Sequence, residues 1–238
     1  AYGREALMRA KEAAEDLGFS VLHLYVDGLW VKKPEAKEVV DFQPLLEEIS
    51  RRTGLPISLD GIYDWVAFLP SRVDRRVPVA NRYFGVFRDG SLKVRGIEAR
   101  RGDTPAFIVE TQMQMLELLA NQRHAGAARI SLERPLNLLR RRLTDLRRGR
   151  LPLEMLVVSH RLSRELQEYK VLSPAARALQ QLQAAGKQLR PGQRVDFIYT
   201  RGKPGVYAWD LPRPPDPRSP DLERYAVLLL RAAYTILE

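Results

Sequence analysis

Apolar residues recur at helical spacing near the start of the chain and predict a first helix from about Arg4. The apolar positions of this stretch are Ala6, Leu7, Ala10, Ala13, Ala14 and Leu17. Gly18 follows where a helix commonly ends, because glycine adopts the left-handed backbone of a C-cap without strain. The pattern therefore predicts an amphipathic helix that buries one alanine-rich face.

Two β-rich runs follow this helix and predict a hairpin. They cover Phe19 to Leu24 and Leu29 to Lys33, and Asp27-Gly28 between them is typical of a hairpin turn. A residue at such a tip presents its side chain away from the core. Asp27 is therefore a candidate functional carboxylate, although an aspartate in a turn is more often structural.

The remaining pattern predicts an α+β protein with a partial antiparallel sheet followed by a mostly helical part, divided near residue 105 into 1–105 and 106–238. The first part also contains a short helix at 44–53 ended by Gly54, strands near 57–69 and 82–87, and a hairpin from Asp89-Gly90 into 92–97. The second part contains helices at 107–123, 135–146, 174–185 and 222–237, one strand at 194–200, and a proline-rich segment at 204–220 that we expect to be an extended connector.

Composition narrows the possible chemistry. The chain has 238 residues, no cysteine and a formal net charge of +10. Thiolate metal sites and cysteine nucleophiles are excluded, and His23, His124 and His160 lack ligand spacing, so carboxylates must carry any metal chemistry. No apolar run approaches the roughly 18 to 20 residues of a membrane-spanning helix, which predicts a cytoplasmic protein that does not use a membrane as partner.

Arginine is concentrated between Arg123 and Arg150, where nine arginines face only Glu133 and Asp145. Such a block favours a polyanion, and the planar guanidinium group suits phosphate. A solvated helix face is the structural alternative. The common nucleotide-binding and hydrolase motifs are absent from the sequence: there is no G-x-x-x-x-G-K-[ST], G-x-G-x-x-G, H-E-x-x-H or G-x-S-x-G.

Residues 21–31 read V-L-H-L-Y-V-D-G-L-W-V and follow Ala1-Tyr2-Gly3-Arg4 and the helix. This hairpin and its flanks resemble the family B DNA polymerases, in which Ala-aromatic-Gly-Arg opens a helix that leads into V-L-Y-x-D-T-D-[SG]-L-[FYW]-V, motif C. Asp27 takes the position of the second aspartate, so the resemblance implies that it is a catalytic metal ligand. Tyr25 takes the position of the first aspartate.

Further elements occur in the family's order. Residues 81–85, N-R-Y-F-G, resemble K-K-R-Y-[AF]-G, with Asn81 in place of a lysine, and residues 93–103 resemble K-x-R-G-[LI]-E-x-x-R-R-D. Asp60-Gly61 is similar to an acidic-Gly pair and implies a carboxylate near the metal ligands. From the resemblance and the charge pattern, the predicted DNA-binding residues are Asn81, Arg82, Tyr83, Lys93, Arg95, Arg101, Arg140, Arg141, Arg142, Arg147 and Arg148. Strand packing is the structural alternative for Tyr83 and a surface ion pair for Arg95.

The resemblance implies half of a polymerase palm at 1–105 and a thumb at 106–238. Motif A, which carries another essential aspartate, and motif B, which grips the nucleotide, do not occur in this sequence. We therefore expect a small subunit that is active only with a large polymerase chain carrying the exonuclease, the fingers and both motifs, that shares Mg²⁺ or Mn²⁺ with that chain, binds primer–template duplex DNA and acts at the nucleoid. The alternatives are a non-catalytic DNA-binding or scaffolding subunit, and a piece of a longer chain.

Overall fold

The computed structural model describes residues 2–71, 73–74, 76–124 and 131–237, except for the side chains of residues 80, 123 and 124. Arg129 of the arginine-rich stretch lies outside the described residues. The chain divides into two units, Ala1–Arg95 and Gly96–Glu238. Both combine helices with antiparallel sheets, which confirms the predicted α+β class. None of the described helices is long and apolar enough to span a membrane.

The first unit begins with helix α1, Tyr2–Asp16, which buries the predicted alanine face. Strands β1, Ser20–Tyr25, and β2, Gly28–Lys32, form the predicted antiparallel hairpin, and helix α2, Gln43–Thr53, ends at Gly54 in the left-handed conformation. The core between these elements consists of Ala10, Ala13, Ala14, Phe19, Phe42, Leu45 and Ile49. The small alanine side chains let α1 pack closely on its neighbours. The prediction of an amphipathic first helix with a buried alanine face is confirmed.

The hairpin turn lies one residue earlier than the sequence predicts. Tyr25 pairs with Gly28, so Val26 and Asp27 connect the strands, and Gly28 already belongs to β2. The Asp27 amide donates to the Tyr25 carbonyl at 2.7 Å, and Val26 has a positive φ of 49°. A turn this tight forces the residue at its tip into a left-handed conformation, and Asp27 follows it directly.

A three-stranded antiparallel sheet completes the first unit. Its strands are β3, Tyr63–Pro70, β4, Pro78–Phe87, and β5, Leu92–Arg95, in the order β3-β4-β5. The predicted strand from Ile57 begins only at Tyr63. Ile57, Leu59 and Ile62 instead pack against the helical core without strand pairing, so their apolar alternation reflects burial of an irregular segment.

The second unit, in its described residues, contains four α-helices and a three-stranded antiparallel sheet. Helices α3, Ala106–His124, α4, Glu133–Arg147, and α6, Leu222–Leu237, contact one another, and helix α5, Pro174–Ala184, packs on the sheet. The sheet consists of β6, Val158–Arg161, β7, Arg194–Tyr199, and β8, Val206–Ala208, in that order. The prediction of a single strand was wrong, and β8 lies within the segment predicted to be an extended connector.

Buried hydrogen bonds join the helices of the second unit. The fully buried Gln112 amide nitrogen donates to Glu98 at 3.0 Å and to the Ala232 carbonyl at 2.7 Å, and its oxygen accepts from the Ala99 amide. The Tyr225 hydroxyl donates to the Leu156 carbonyl at 2.7 Å and accepts from the Tyr199 amide at 2.8 Å. Burial raises the pKa of Tyr225, so the neutral phenol is the native form.

We expect Tyr225→Phe to lower the free energy of unfolding by about 1–3 kcal/mol, because it leaves a buried amide and a buried carbonyl without their partner. Chemical denaturation followed by circular dichroism measures this loss. Tyr2→Phe is the control, since Tyr2 is 90% exposed and should contribute nothing measurable. Equal stability of the two variants would contradict a structural role for the Tyr225 hydroxyl.

Candidate functional site

A cleft of about 750 Å³ lies in the first unit between the hairpin, α2, the segment 57–62 and the three-stranded sheet. Five of the residues singled out by the sequence line it. They are Asp27, Asp60, Tyr83, Lys93 and Arg95. Residues from four separate parts of the chain are thus brought to one surface, with two cations and two carboxylates among them.

Asp27 stands exposed at the tip of the hairpin and borders this cleft. Its carboxylate makes no hydrogen bond or ion pair with any residue that the structure describes. Nor do any three histidine, aspartate or glutamate side chains of the described ranges come close enough together to hold a metal ion. Asp27 could therefore supply one carboxylate ligand to a divalent cation. The other ligands that such a cation needs would have to come from elsewhere.

The register of the sheet explains why Lys93 and Arg95 share the cleft. Tyr83 pairs with Arg95 and Gly85 pairs with Lys93, so all four residues lie on one face. The intervening residues, Phe84, Val86 and Val94, are buried on the other face. Gly85 has no room for a side chain, because a Cβ there would lie 2.8 Å from the Trp65 carbonyl oxygen.

Aromatic side chains support the hairpin from beneath. The Trp30 ring lies 5.4 Å from the Tyr83 ring in an edge-on arrangement, and the Phe68 ring lies 4.8 Å from His23 and 5.5 Å from Tyr83. Tyr83 is only 4% exposed. Tyr83 therefore packs within the sheet, as its structural alternative predicts. It also lines the cleft.

Other predicted residues of this unit have defined surroundings. Asn81 is exposed on β4, whereas the Arg82 guanidinium donates to the Pro70 carbonyl at 3.2 Å. Lys93 forms an ion pair with Asp60 at 2.9 Å. Sequence reasoning did not single out Asp64, which is exposed and also lines the cleft. The signal in the sequence was a charged residue within the mostly apolar run that forms β3.

The arginines of α4 divide between two faces of the helix. Arg140, Arg141 and Arg147 of α4 and Arg148 at its C-cap are exposed and recur at helical spacing, so they form one solvent-facing surface, the α4 arginine face. Arg142 points inward instead, because it contacts Gln114 at 3.3 Å and Glu110 at 3.7 Å and lies over the Phe107 ring at 5.9 Å.

Arg101 also has an internal partner. Its guanidinium forms two hydrogen bonds to Asp103 at 2.9 and 3.0 Å, and this contact lowers the pKa of the Asp103 carboxyl. The pair lies on the surface of the second unit. The Arg140 guanidinium donates to the Asn137 side chain at 3.1 Å. Of the six predicted arginines in that unit, Arg141, Arg147 and Arg148 are therefore the best presented to a ligand in solution, since their side chains have no hydrogen bond or ion pair with the described residues.

Comparison with known proteins identifies the class. The fold is that of part of a nucleic-acid polymerase. Residues 80–221 match the model of DNA polymerase family B. The chain belongs to this family. It is 28% identical over 207 residues to DNA polymerase 2 of Aeropyrum pernix and 28% identical over 208 residues to the DNA polymerase of Pyrococcus glycovorans.

A solved structure gives the same assignment. The whole chain superposes on the family B DNA polymerase from Pyrobaculum calidifontis with a TM-score of 0.62 and 27% sequence identity, and it covers 29% of that protein. The chain covers 23% and 25% of the two sequence relatives, and 87% and 85% of its own length is matched. It therefore spans about a quarter of the length of the polymerases that it matches.

We expect Gly61→Ala to destabilise the wall of the cleft. A Cβ at Gly61 would lie 2.7 Å from the Phe87 ring, which stacks on Tyr63 at a centroid distance of 4.3 Å. The ring must shift, so the free energy of unfolding should fall by about 1–3 kcal/mol in chemical denaturation. Gly3→Ala is the control, because a Cβ there would meet no described atom within 4 Å apart from its chain neighbours and the nearby backbone of α1. Equal stabilities would contradict this packing.

Proposed function

We propose that this chain forms the part of a family B DNA polymerase that supplies one catalytic metal ligand and holds the primer–template duplex. The observation that carries the proposal is the cleft of the first unit. There the Asp27 carboxylate, which has no partner among the residues that the structure describes, lies at a hairpin tip on the same surface as Lys93 and Arg95. Membership of the polymerase family and resemblance of the hairpin to motif C support the same assignment.

Asp27 is the proposed metal ligand. A divalent cation held there would supply the Lewis-acid chemistry of nucleotidyl transfer, which lowers the pKa of the attacking hydroxyl and stabilises negative charge on the leaving group. The Asp27 carboxylate is exposed and has no competing partner among the described residues, so its oxygens are available to Mg²⁺ or Mn²⁺. Since no three such ligands cluster in the described ranges, the remaining ligands are proposed to come from another chain. We assign them to a large polymerase chain that carries motifs A and B, the fingers and the exonuclease.

The duplex would be held through its phosphates. We assign residues 1–105 to the palm and 106–238 to the thumb, with the α4 arginine face as the main phosphate-binding surface of the thumb. Arginine at this density binds the backbone without reading bases.

Asn81, Lys93 and Arg95 would contact the duplex near the primer end, and an assignment to the nucleoid follows from DNA binding. Asp60, Arg82, Tyr83, Arg101 and Arg142 have internal contacts that already account for their positions.

A second candidate function is a non-catalytic DNA-binding or scaffolding subunit. The observation that favours it is Tyr25, which occupies the position of the first motif C aspartate and leaves Asp27 as the one carboxylate of the turn. Asn81 also favours this function, because it replaces a lysine of the K-K-R-Y-[AF]-G element and so lacks the positive charge. The two candidates differ in whether polymerisation depends on Asp27, and they agree on duplex binding.

We expect Asp27→Ala to reduce nucleotide incorporation by at least about 10²-fold, because several kcal/mol of metal-borne stabilisation of the transition state is lost. Primer extension by this chain reconstituted with the large polymerase chain measures the rate, and duplex affinity should not decrease. The control is Asp64→Ala, which removes an exposed carboxylate from the same cleft. Full activity of Asp27→Ala would favour the scaffolding function.

We expect the double variant Arg147→Ala/Arg148→Ala to weaken duplex binding equally for unrelated sequences. Each lost phosphate contact should make the slope of log affinity against log salt shallower by about 0.9. Fluorescence anisotropy between 50 and 200 mM salt, a range in which such contacts dominate, measures the slope. In the control variant Arg142→Ala the slope should be retained while stability falls, since Arg142 packs on α3. Salt-insensitive binding would contradict the thumb assignment.

A further inference from the structure

The two cations of the cleft differ in how they are neutralised. Arg95 is exposed and forms no hydrogen bond or ion pair with the described part of the chain. Lys93, two residues earlier on the same face of β5, has its ammonium group 2.9 and 3.3 Å from the two carboxylate oxygens of Asp60. Residues two apart on a strand are separated by about 7 Å. One of two neighbouring cations thus already has an anionic partner.

The position of Asp60 is set by packing and does not depend on the ion pair alone. Asp60 lies between Leu59, which packs on the helical core, and Gly61, where the Phe87 ring leaves no room for a Cβ. The segment therefore holds the carboxylate over β5 although the Asp60 side chain itself is 70% exposed. The Lys93 side chain is 28% exposed, so an approaching anion can reach the pair from solvent.

We infer that Asp60 occupies on Lys93 the place of a backbone phosphate of the duplex, and that DNA must displace this carboxylate when it enters the cleft. The inference rests on the proposed function and adds a regulatory element to it. A carboxylate and a phosphate both offer anionic oxygens to an ammonium group at the same distance. An ion pair exposed to this degree is weak, so displacement is possible and the competitor lowers affinity without preventing binding.

The test is a double-mutant cycle on duplex affinity at low salt, with Asp60→Asn and Lys93→Met introduced singly and together into the full chain. Asp60→Asn should tighten binding about two- to fivefold, the range expected for an exposed ion pair. In the Lys93→Met background the same change should have at most a marginal effect. Asp64→Asn is the matched control, because it removes one negative charge from the same cleft but has no contact with Lys93.

The outcomes separate the inference from the function on which it rests. Tightening that needs Lys93 and exceeds that of Asp64→Asn supports it. Equal tightening by Asp60→Asn with and without Lys93, equal tightening by Asp64→Asn, or no tightening overturns the inference while duplex binding itself stands. Absence of duplex binding by every variant overturns the proposed function as well. Thermal denaturation should give unchanged transitions for both aspartate variants, which verifies that folding is intact.

Discussion

The contact of Trp30 with Tyr83 is the interaction on which the cleft depends. In the described part of the first unit, the hairpin and the three-stranded sheet are separate sheets, so side chains and not ladder hydrogen bonds join them. Aromatic pairs of this geometry contribute about 0.5–1.5 kcal/mol beyond the area that they bury. Phe68 and His23 extend the contact, and together these rings set the height of the hairpin tip above β5.

In this arrangement the side chains that hold the hairpin in place differ from the charged side chains proposed to bind ligands. The rings beneath the hairpin are buried or half-buried, whereas Asp27 and Arg95 are exposed at the rim. If the surface binds DNA and a divalent cation as proposed, its charges must stay in water until the ligands arrive, because a buried unpaired charge is costly. The apolar layer below provides rigidity without placing charge in the core. Asp60 adds an internal anion to the same rim.

Long, strongly periodic elements of this fold could be predicted from the sequence, and α6 was predicted with its observed bounds. Strands β6 and β8 were missed, because runs of three or four residues carry too little alternation to be recognised. The alternating apolar residues at 57–62 were wrongly predicted to form a strand, because an irregular segment that packs on a helical core shows the same alternation of apolar and polar residues. Asp27 and the cleft cations followed from resemblance, but the inward direction of Arg142 depends on α3, which no local pattern reveals.

The one-sided distribution of charge on α4 has a mechanical consequence for a duplex held as proposed. Guanidinium groups that meet only phosphates encounter an equivalent set of partners after each step of one base pair along the helix. The binding energy therefore repeats with the period of the nucleic acid, and no sequence creates a deep minimum in which the protein would stall. With the proposed function, the α4 arginine face would therefore let product advance along it under a small driving force.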